Sequence, residues 1–258
     1  MIAKYYLVDG RNDDNSLDYQ ASIAFEEYLH SIGLKTKTEK KFGLTALRWA
    51  ALKAGLGIIR KNNFFYTNNG SWIHLEAWLV DKELELKHEV TQKPCSEKCN
   101  LCIEACPTKS LFEPYTMSLS SCVSCLTTLD GNDLVNEPNN HLMGSWLYGC
   151  DACQDACPHN SNKWIETEEF PKLSELMDLI NLENIIYMDY DSLQKTVASK
   201  FWYIEPDRIW KWKVNALNVM KNCYKSKYDK AIETACNDSN EHVRNMAKWV
   251  KSTINTSN

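Results

Sequence analysis

The chain's clearest chemistry lies in its cysteines, of which there are eleven. Most fall in one stretch: Cys95-x3-Cys99-x2-Cys102-x3-Cys106-Pro107, then Cys122, then Cys150-x2-Cys153-x3-Cys157-Pro158. Two Cys-x2-Cys-x3-Cys-Pro blocks are the spacing that binds two [4Fe-4S] clusters. Closely spaced thiolates on a tight loop wrap three corners of a cubane, and the cysteine before proline reaches across to the other cluster. Cys95, Cys99 and Cys102 are therefore expected to hold one cluster with Cys157. Cys150 and Cys153 are expected to hold the second with Cys106 and Cys122. Two points stay open: the first gap has three residues (Ser96-Glu97-Lys98) where two is usual, and Cys125 can replace Cys122. Structural zinc is the alternative, because Cys-x2-Cys pairs also make tetrahedral sites. Zinc needs only four ligands and no repeated Cys-Pro ending. A disulfide framework is disfavoured, since the start MIAKYYLVDGRNDD has no long apolar core and no signal peptide is expected. Metal-bound thiolates suit a reducing, cytoplasmic setting. Cys223 and Cys236 sit in helical patterns and are expected in the core.

Around the cysteines, the composition is that of a globular protein, 44% hydrophobic and 24% charged over 258 residues. No run of eighteen apolar residues exists, so no membrane span is expected. The net charge of −5 does not advertise nucleic-acid binding, but it is uneven. From Ser192 to Asn258 twelve Lys/Arg face six Asp/Glu, which leaves about −11 on the rest. A basic end can meet a polyanion such as RNA or be a solvated lysine face on helices.

The elements that must position the cysteines read as α+β in three parts. Residues 1–88 form a small α/β unit, 89–165 a bacterial ferredoxin-like two-cluster module, and 166–258 a helical region. Ile2 to Val8 reads as a buried strand. Ser16 caps a helix from Leu17 to Ile32, stopped by Gly33. A second helix covers Thr45 to Lys53 and ends at Ala54-Gly55-Leu56-Gly57, where the glycines permit a close backbone approach or a plain helix stop. Ile58 to Lys61 and Phe64 to Tyr66 lead to a hairpin turn at Asn68-Asn69-Gly70-Ser71, with Trp72 to Val80 as the return strand. The loop ending in Gly144 to Gly149 can cover one cluster. After Pro171 the pattern is helical. The turn Asn237 to Arg244, between two helices, has the look of a HEAT-type repeat.

Taken in order, Lys53-Ala54-Gly55-Leu56-Gly57, Lys61-Asn62, Gly70-Ser71-Trp72, Cys102-x3-Cys106-Pro107-Thr108, Cys122 with Leu126-Thr127, and Tyr148-Gly149-Cys150-Asp151-x-Cys153-Gln154-x2-Cys157-Pro158-x-Asn160 resemble the epoxyqueuosine reductases, relatives of the reductive dehalogenases. The resemblance implies a base-off cobalamin beside the cluster module, approached by the backbone of Gly55, Leu56, Gly57, Gly70 and Ser71. It also implies electrons passing through the clusters to cobalt, from a flavodoxin or ferredoxin donor, to reduce epoxyqueuosine in tRNA. Two departures go with it. The chain looks N-terminally shortened against the family, and the family's acidic Asp is missing. Counting back from the glycine turn lands on Lys41, and the nearest carboxyl is Glu39, which can move protons only if burial raises its pKa. His159 stands where the family has an aromatic after Cys-Pro. The alternatives are a non-enzymatic ferredoxin-type carrier for a partner protein, a tRNA-binding module with structural clusters, or a related reductase of a small-molecule substrate.

Overall fold

The computed structural model describes residues 1–39, 43–85, 92–129, 134–164 and 173–256. Lys41 and Pro171 lie outside them. The protein is rich in short helices, and among the described residues its strands pair in twos. In chain order these are α1 (Lys4–Leu7), α2 (Leu17–Ser31), β1 (Thr36–Lys37), α3 (Leu47–Lys53), β2 (Ile58–Ile59), β3 (Phe65–Tyr66) and β4 (Leu79–Val80). The cysteine stretch carries α4 (Leu101–Glu104), β5 (Leu111–Glu113), β6 (Thr116–Met117), α5 (Val123–Thr128) and α6 (Ala152–Asp155). Then follow α7 (Leu173–Leu179), α8 (Leu182–Tyr187), α9 (Tyr190–Leu193), α10 (Lys211–Asn222), α11 (Asp229–Ala235) and α12 (Glu241–Asn255). The antiparallel pairs are β1 with β4, β2 with β3, and β5 with β6.

Several local expectations hold for local reasons. The Ser16 hydroxyl accepts the Tyr19 N–H at 3.1 Å and starts α2. Gly33, at φ +81°, ends it, and Leu34 N–H returns to Leu29 O at 3.1 Å. Gly55, at φ +72°, stops α3 in the same way, with Leu56 N–H bonded to Ala51 O.

Three expectations give way. The segment expected as a strand from Ile2 to Val8 contains the helical turn α1, and only Ile2 keeps a bridge, to Tyr148. Its two tyrosines dock in one aromatic cluster: Tyr6 lies edge-on to Tyr148 at 4.7 Å and to Tyr203 at 5.2 Å, and Tyr5 stands 5.2 Å from Tyr6. A strand would send them to opposite faces. The hairpin turn falls earlier than expected, at Arg60 to Phe64, where Asn63 takes φ +65°. The Asn68-Asn69-Gly70 turn closes only the Thr67–Gly70 bridge, and of the expected return strand only Leu79–Val80 is a strand, paired with β1. Finally, Cys223 is exposed because it follows the end of α10, whereas Cys236, half-buried at the end of α11, does pack against the core.

The hydrophobic core runs across the expected boundary near residue 165. Val123, Leu126, Leu134, Met143, Leu147 and Tyr148 share one core with Trp212, Leu217, Met220, Ile232, Val243 and Met246. Tyr148 stacks on Trp212 at 4.8 Å with rings 5° apart. The cysteine module is thus held from one side by α10 and from the other by the β2–β3 hairpin.

Candidate iron–sulfur and cofactor site

Two short helices carry the paired cysteine motifs, and they pack on each other: α4 bears Cys102 and α6 bears Cys153. Each is followed by a Cys-Pro step. At Cys157 the proline opens a 3-10 turn, Pro158–Asn160, where its missing N–H costs nothing. Cys95, Cys99, Cys102 and Cys157 line one cavity of about 250 Å³, with Arg60, Lys61, Asn62 and His159. The first expected thiol set is therefore assembled, including the residue from the distant block. Cys106, Cys122, Cys150 and Cys153 form the second neighbourhood, each of the other three lying close enough to act on Cys153. Cys122 and Cys106 likewise act on Cys150. Cys125 stands beside Cys122 and hydrogen-bonds it. Cys102 also acts on Cys153, so the two neighbourhoods adjoin.

Among the described residues no three His, Cys, Asp or Glu side chains converge closely enough to hold a single ion. The first set instead walls a space, which suits a cubane better than a mononuclear zinc. Burial pushes the Cys150 thiol up to about 12, and that of Cys153 well above its ordinary value. Hydrogen bonding to Cys125 lowers Cys122. Thiols this buried are held as thiolates only by a cation that replaces the proton.

The hairpin braces the first set. Lys61 Nζ donates to the carbonyls of Ser96, Glu97 and Cys99 at 3.0, 2.9 and 2.8 Å, which fixes the Cys95–Cys99 loop with its extra residue. Asn62 Nδ2 donates to Tyr66 Oη at 2.9 Å and Cys153 O at 3.2 Å. Arg60 is 4% exposed, and its Nη1 donates to Cys95 Sγ at 3.8 Å. Burial, with the nearby Arg60 charge, lowers the pKa of His159. In the sequence Lys61 and Asn62 stand out only as motif residues, and Arg60 does not stand out at all. The available signal was two consecutive cations between apolar strands, where charge is rarely buried without a partner.

Other residues of the same hairpin, Ile59, Asn63, Phe64 and Phe65, line a second cavity of about 500 Å³ together with Thr45 to Trp49 and with Tyr5, Arg11, Ser71, Ile73 and Leu75. This is the size of cofactor pockets. Its apolar walls and two arginines fit a flat ring with a polar rim. Arg11 is fixed by Asp9, with Nε and Nη2 each 3.0 Å from a carboxylate oxygen, and its Nη2 donates to Tyr203 Oη at 2.9 Å. Burial raises the Tyr5 hydroxyl well above its ordinary pKa, so it stands at this wall as a protonated group.

Of the five residues expected to approach a corrin, only Ser71 lines this cavity. Its Oγ donates to Gln154 Oε1 at 2.7 Å and its N–H to Asn160 Oδ1 at 3.0 Å. A Cβ on Gly57 would strike the Tyr66 carbonyl, and one on Gly70 would meet Asn160 Oδ1 at 2.8 Å. These two glycines permit close backbone approach to the hairpin and to the cluster module. Gly55 closes α3, and Leu56 is 59% exposed. Glu39 is exposed, accepts the Gly43 N–H at 2.8 Å and does not line the cavity.

Comparisons with known proteins agree with this geometry. The profile of a 4Fe-4S double cluster binding domain matches residues 95–160. Epoxyqueuosine reductase of Prochlorococcus marinus (strain NATL2A) is 30% identical over 174 residues, 67% of this chain and 54% of that protein. The Escherichia coli (strain K12) enzyme is 38% identical over 120 residues, 46% of this chain and 31% of that protein. This chain spans about half the length or less of such relatives. Among solved structures, epoxyqueuosine reductase with a tRNA-Tyr epoxyqueuosine-modified stem loop superposes with a TM-score of 0.76 at 22% identity, over 92% of this chain and 62% of that one. The Streptococcus thermophilus enzyme superposes equally well, TM-score 0.76 at 23% identity, over 93% of this chain and 64% of that one. The fold is therefore that of epoxyqueuosine reductases, with a double-cluster module at 95–160.

Proposed function

We propose that this chain, an epoxyqueuosine reductase-like iron–sulfur protein, is an oxidoreductase that passes electrons through two [4Fe-4S] clusters to a corrinoid in the large cavity. The observation that carries this reading is the meeting of Cys157 with Cys95, Cys99 and Cys102 around one cavity. Cys106, Cys122, Cys150 and Cys153 hold the second cluster, with Cys125 next to Cys122. Such clusters take up and release single electrons, and a corrinoid adds reductive chemistry at a metal.

The chain's own residues do the rest. The hairpin presents Lys61 and Asn62 to the cluster loops and Phe64 and Phe65 to the large cavity, so neighbouring residues of one turn line both spaces. Ile59, Phe64, Phe65, Ile73 and Leu75 give that cavity an apolar wall. Tyr5 Oη holds a proton at the wall, where a reduction needs one. The substrate by this reading is a modified base in tRNA, the donor a flavodoxin or ferredoxin, and the setting the cytoplasm. Residues 1–88 form the corrinoid-facing unit, 89–165 the cluster module and 166–258 a HEAT-like helical region. Among the described residues no helix is long and apolar enough to cross a membrane.

A ferredoxin-type carrier is the second reading. It is favoured by one observation: no carboxylate stands among the described residues that line the large cavity. Anaerobic reconstitution followed by cobalamin titration separates the two. The first reading expects about eight iron and eight sulfide per chain and a change in the cobalamin absorption. Eight iron with an unchanged cobalamin spectrum leaves the carrier. Zinc without sulfide rejects both. Replacement of Cys157 by Ser should damage the cluster otherwise held by Cys95, Cys99 and Cys102. Loss confined to the Cys150 and Cys153 cluster would reverse the ligand assignment.

A further inference from the structure

We propose that Arg60, seconded by the Tyr66 hydroxyl, gives the cluster of Cys95, Cys99, Cys102 and Cys157 the higher reduction potential of the two and makes it the electron-collecting site. This rests on the two-cluster reading above. A guanidinium that is 4% exposed is costly unless an anion faces it. Among the described residues no carboxylate lies within ion-pair distance of Arg60, and its Nε has no hydrogen-bond partner. What it does face is the thiol-lined cavity, with Nη1 3.8 Å from Cys95 Sγ. Its carbon centre lies 5.2 Å from the Tyr66 ring, and the Tyr66 hydroxyl, which accepts from Asn62 Nδ2 and Asn160 Nδ2, stands close enough to Cys157 for the two to act on each other.

A cluster held by four thiolates is anionic in both of its working states. One-electron reduction adds one more negative charge, with no bond made or broken, the electron coming from a low-potential one-electron donor. A fixed buried cation and a hydrogen bond to a ligand sulfur both stabilise the more negative state, and low local polarity enlarges the effect. The second site is built differently: beside Cys150 stands the Asp151 carboxyl, which accepts the Lys4 N–H at 2.6 Å and Gln154 Nε2 at 3.1 Å. The two sites are therefore built unequal. Electrons entering at the second settle at the first, beside the hairpin that borders the large cavity.

The test is an anaerobic dithionite titration of the reconstituted full chain, followed by electron paramagnetic resonance. The signal weakened in Cys95→Ala identifies the first site. At the wild-type midpoint, Arg60→Met should lower that site's reduced-to-oxidised ratio at least tenfold, which is about 59 mV for a one-electron couple. The second site should stay unmoved. Arg60→Lys should restore most of the shift, and Tyr66→Phe should move the same site in the same direction by less. An unchanged or raised midpoint in Arg60→Met, or a shift confined to the second site, overturns the inference. Should Arg60→Met fail to retain iron, Tyr66→Phe decides, and an unmoved midpoint there overturns it equally. A wild-type chain without about eight iron would instead sink the two-cluster reading itself.

Discussion

Each N–H of the Lys61 ammonium is matched to a carbonyl of the Cys95–Cys99 loop. The side chain is 7% exposed, so water cannot replace it. Lys61→Met should therefore cost about 3 kcal/mol, the range for hydrogen bonds to a charged group. Denaturant melts of the anaerobic protein would measure it, and an unshifted midpoint would show that the loop does not depend on this clamp. The cysteines themselves were legible in the sequence, because cluster ligation constrains spacing and the Cys-Pro step constrains reach. The cations were not. Nothing in Ile58-Ile59-Arg60-Lys61 says that the hairpin turns its charged edge inward, since that depends on where the turn falls. Asn63 places it five residues before the stronger-looking signal that begins at Asn68.

At the scale of elements, the glycine turn and the helical tail make opposite lessons. The turn after α3 reads equally as a ligand-approach loop or a helix stop, and in the structure Gly57 meets the Tyr66 backbone. Gly57→Ala should then destabilise the protein by about 2 kcal/mol through overpacking, with or without a corrinoid. Thermal melts with and without cobalamin would check this, and a loss seen only with cobalamin would return Gly57 to the ligand. The helix–turn–helix near Asp238 was visible from its periodicity. Its glue is a carboxylate that accepts from the Tyr190 hydroxyl, from Lys213 Nζ at 2.9 Å and from Asn240 N–H at 2.8 Å. Burial works against the ionised Asp238, but these bonds outweigh it and hold its pKa below 3.8. Its stabilisation is thus complete above the unfolded value and is lost as pH falls through the lower folded value. Asp238→Asn should cost about 3 kcal/mol at neutral pH. The difference from wild type should shrink in acid below pH 3.8. A difference independent of pH would mean that shape, not charge, holds the turn.

For the whole molecule, the three expected parts share more than their boundaries suggest. The core continues from Val123 through Tyr148 into α10 and α12, and Asn215 Nδ2 donates to Thr127 O at 2.8 Å and Leu147 O at 3.0 Å. Periodicity reveals which residues are apolar, not which distant segment they meet, so this continuity was invisible in the chain. Trp212→Ala should remove about 4 kcal/mol of stability. It should also loosen the segment that carries Cys122, Cys125 and Cys150. Iron release to a chelator should speed up along with the fall in melting temperature. Unchanged iron release in a destabilised variant would mean that the helical region and the cluster segment unfold separately.

The β2–β3 hairpin has one further consequence. Because residues of one short hairpin line both the thiol cavity and the larger one, whatever settles against Phe64 and Phe65 touches the same strand pair that carries Arg60 and Lys61. On the two-cluster reading, the clusters' visible absorption then doubles as a built-in gauge. A colourless small molecule entering the large cavity should register as a change in visible absorption or spin signal, so candidate substrates can be screened without a label and without turnover.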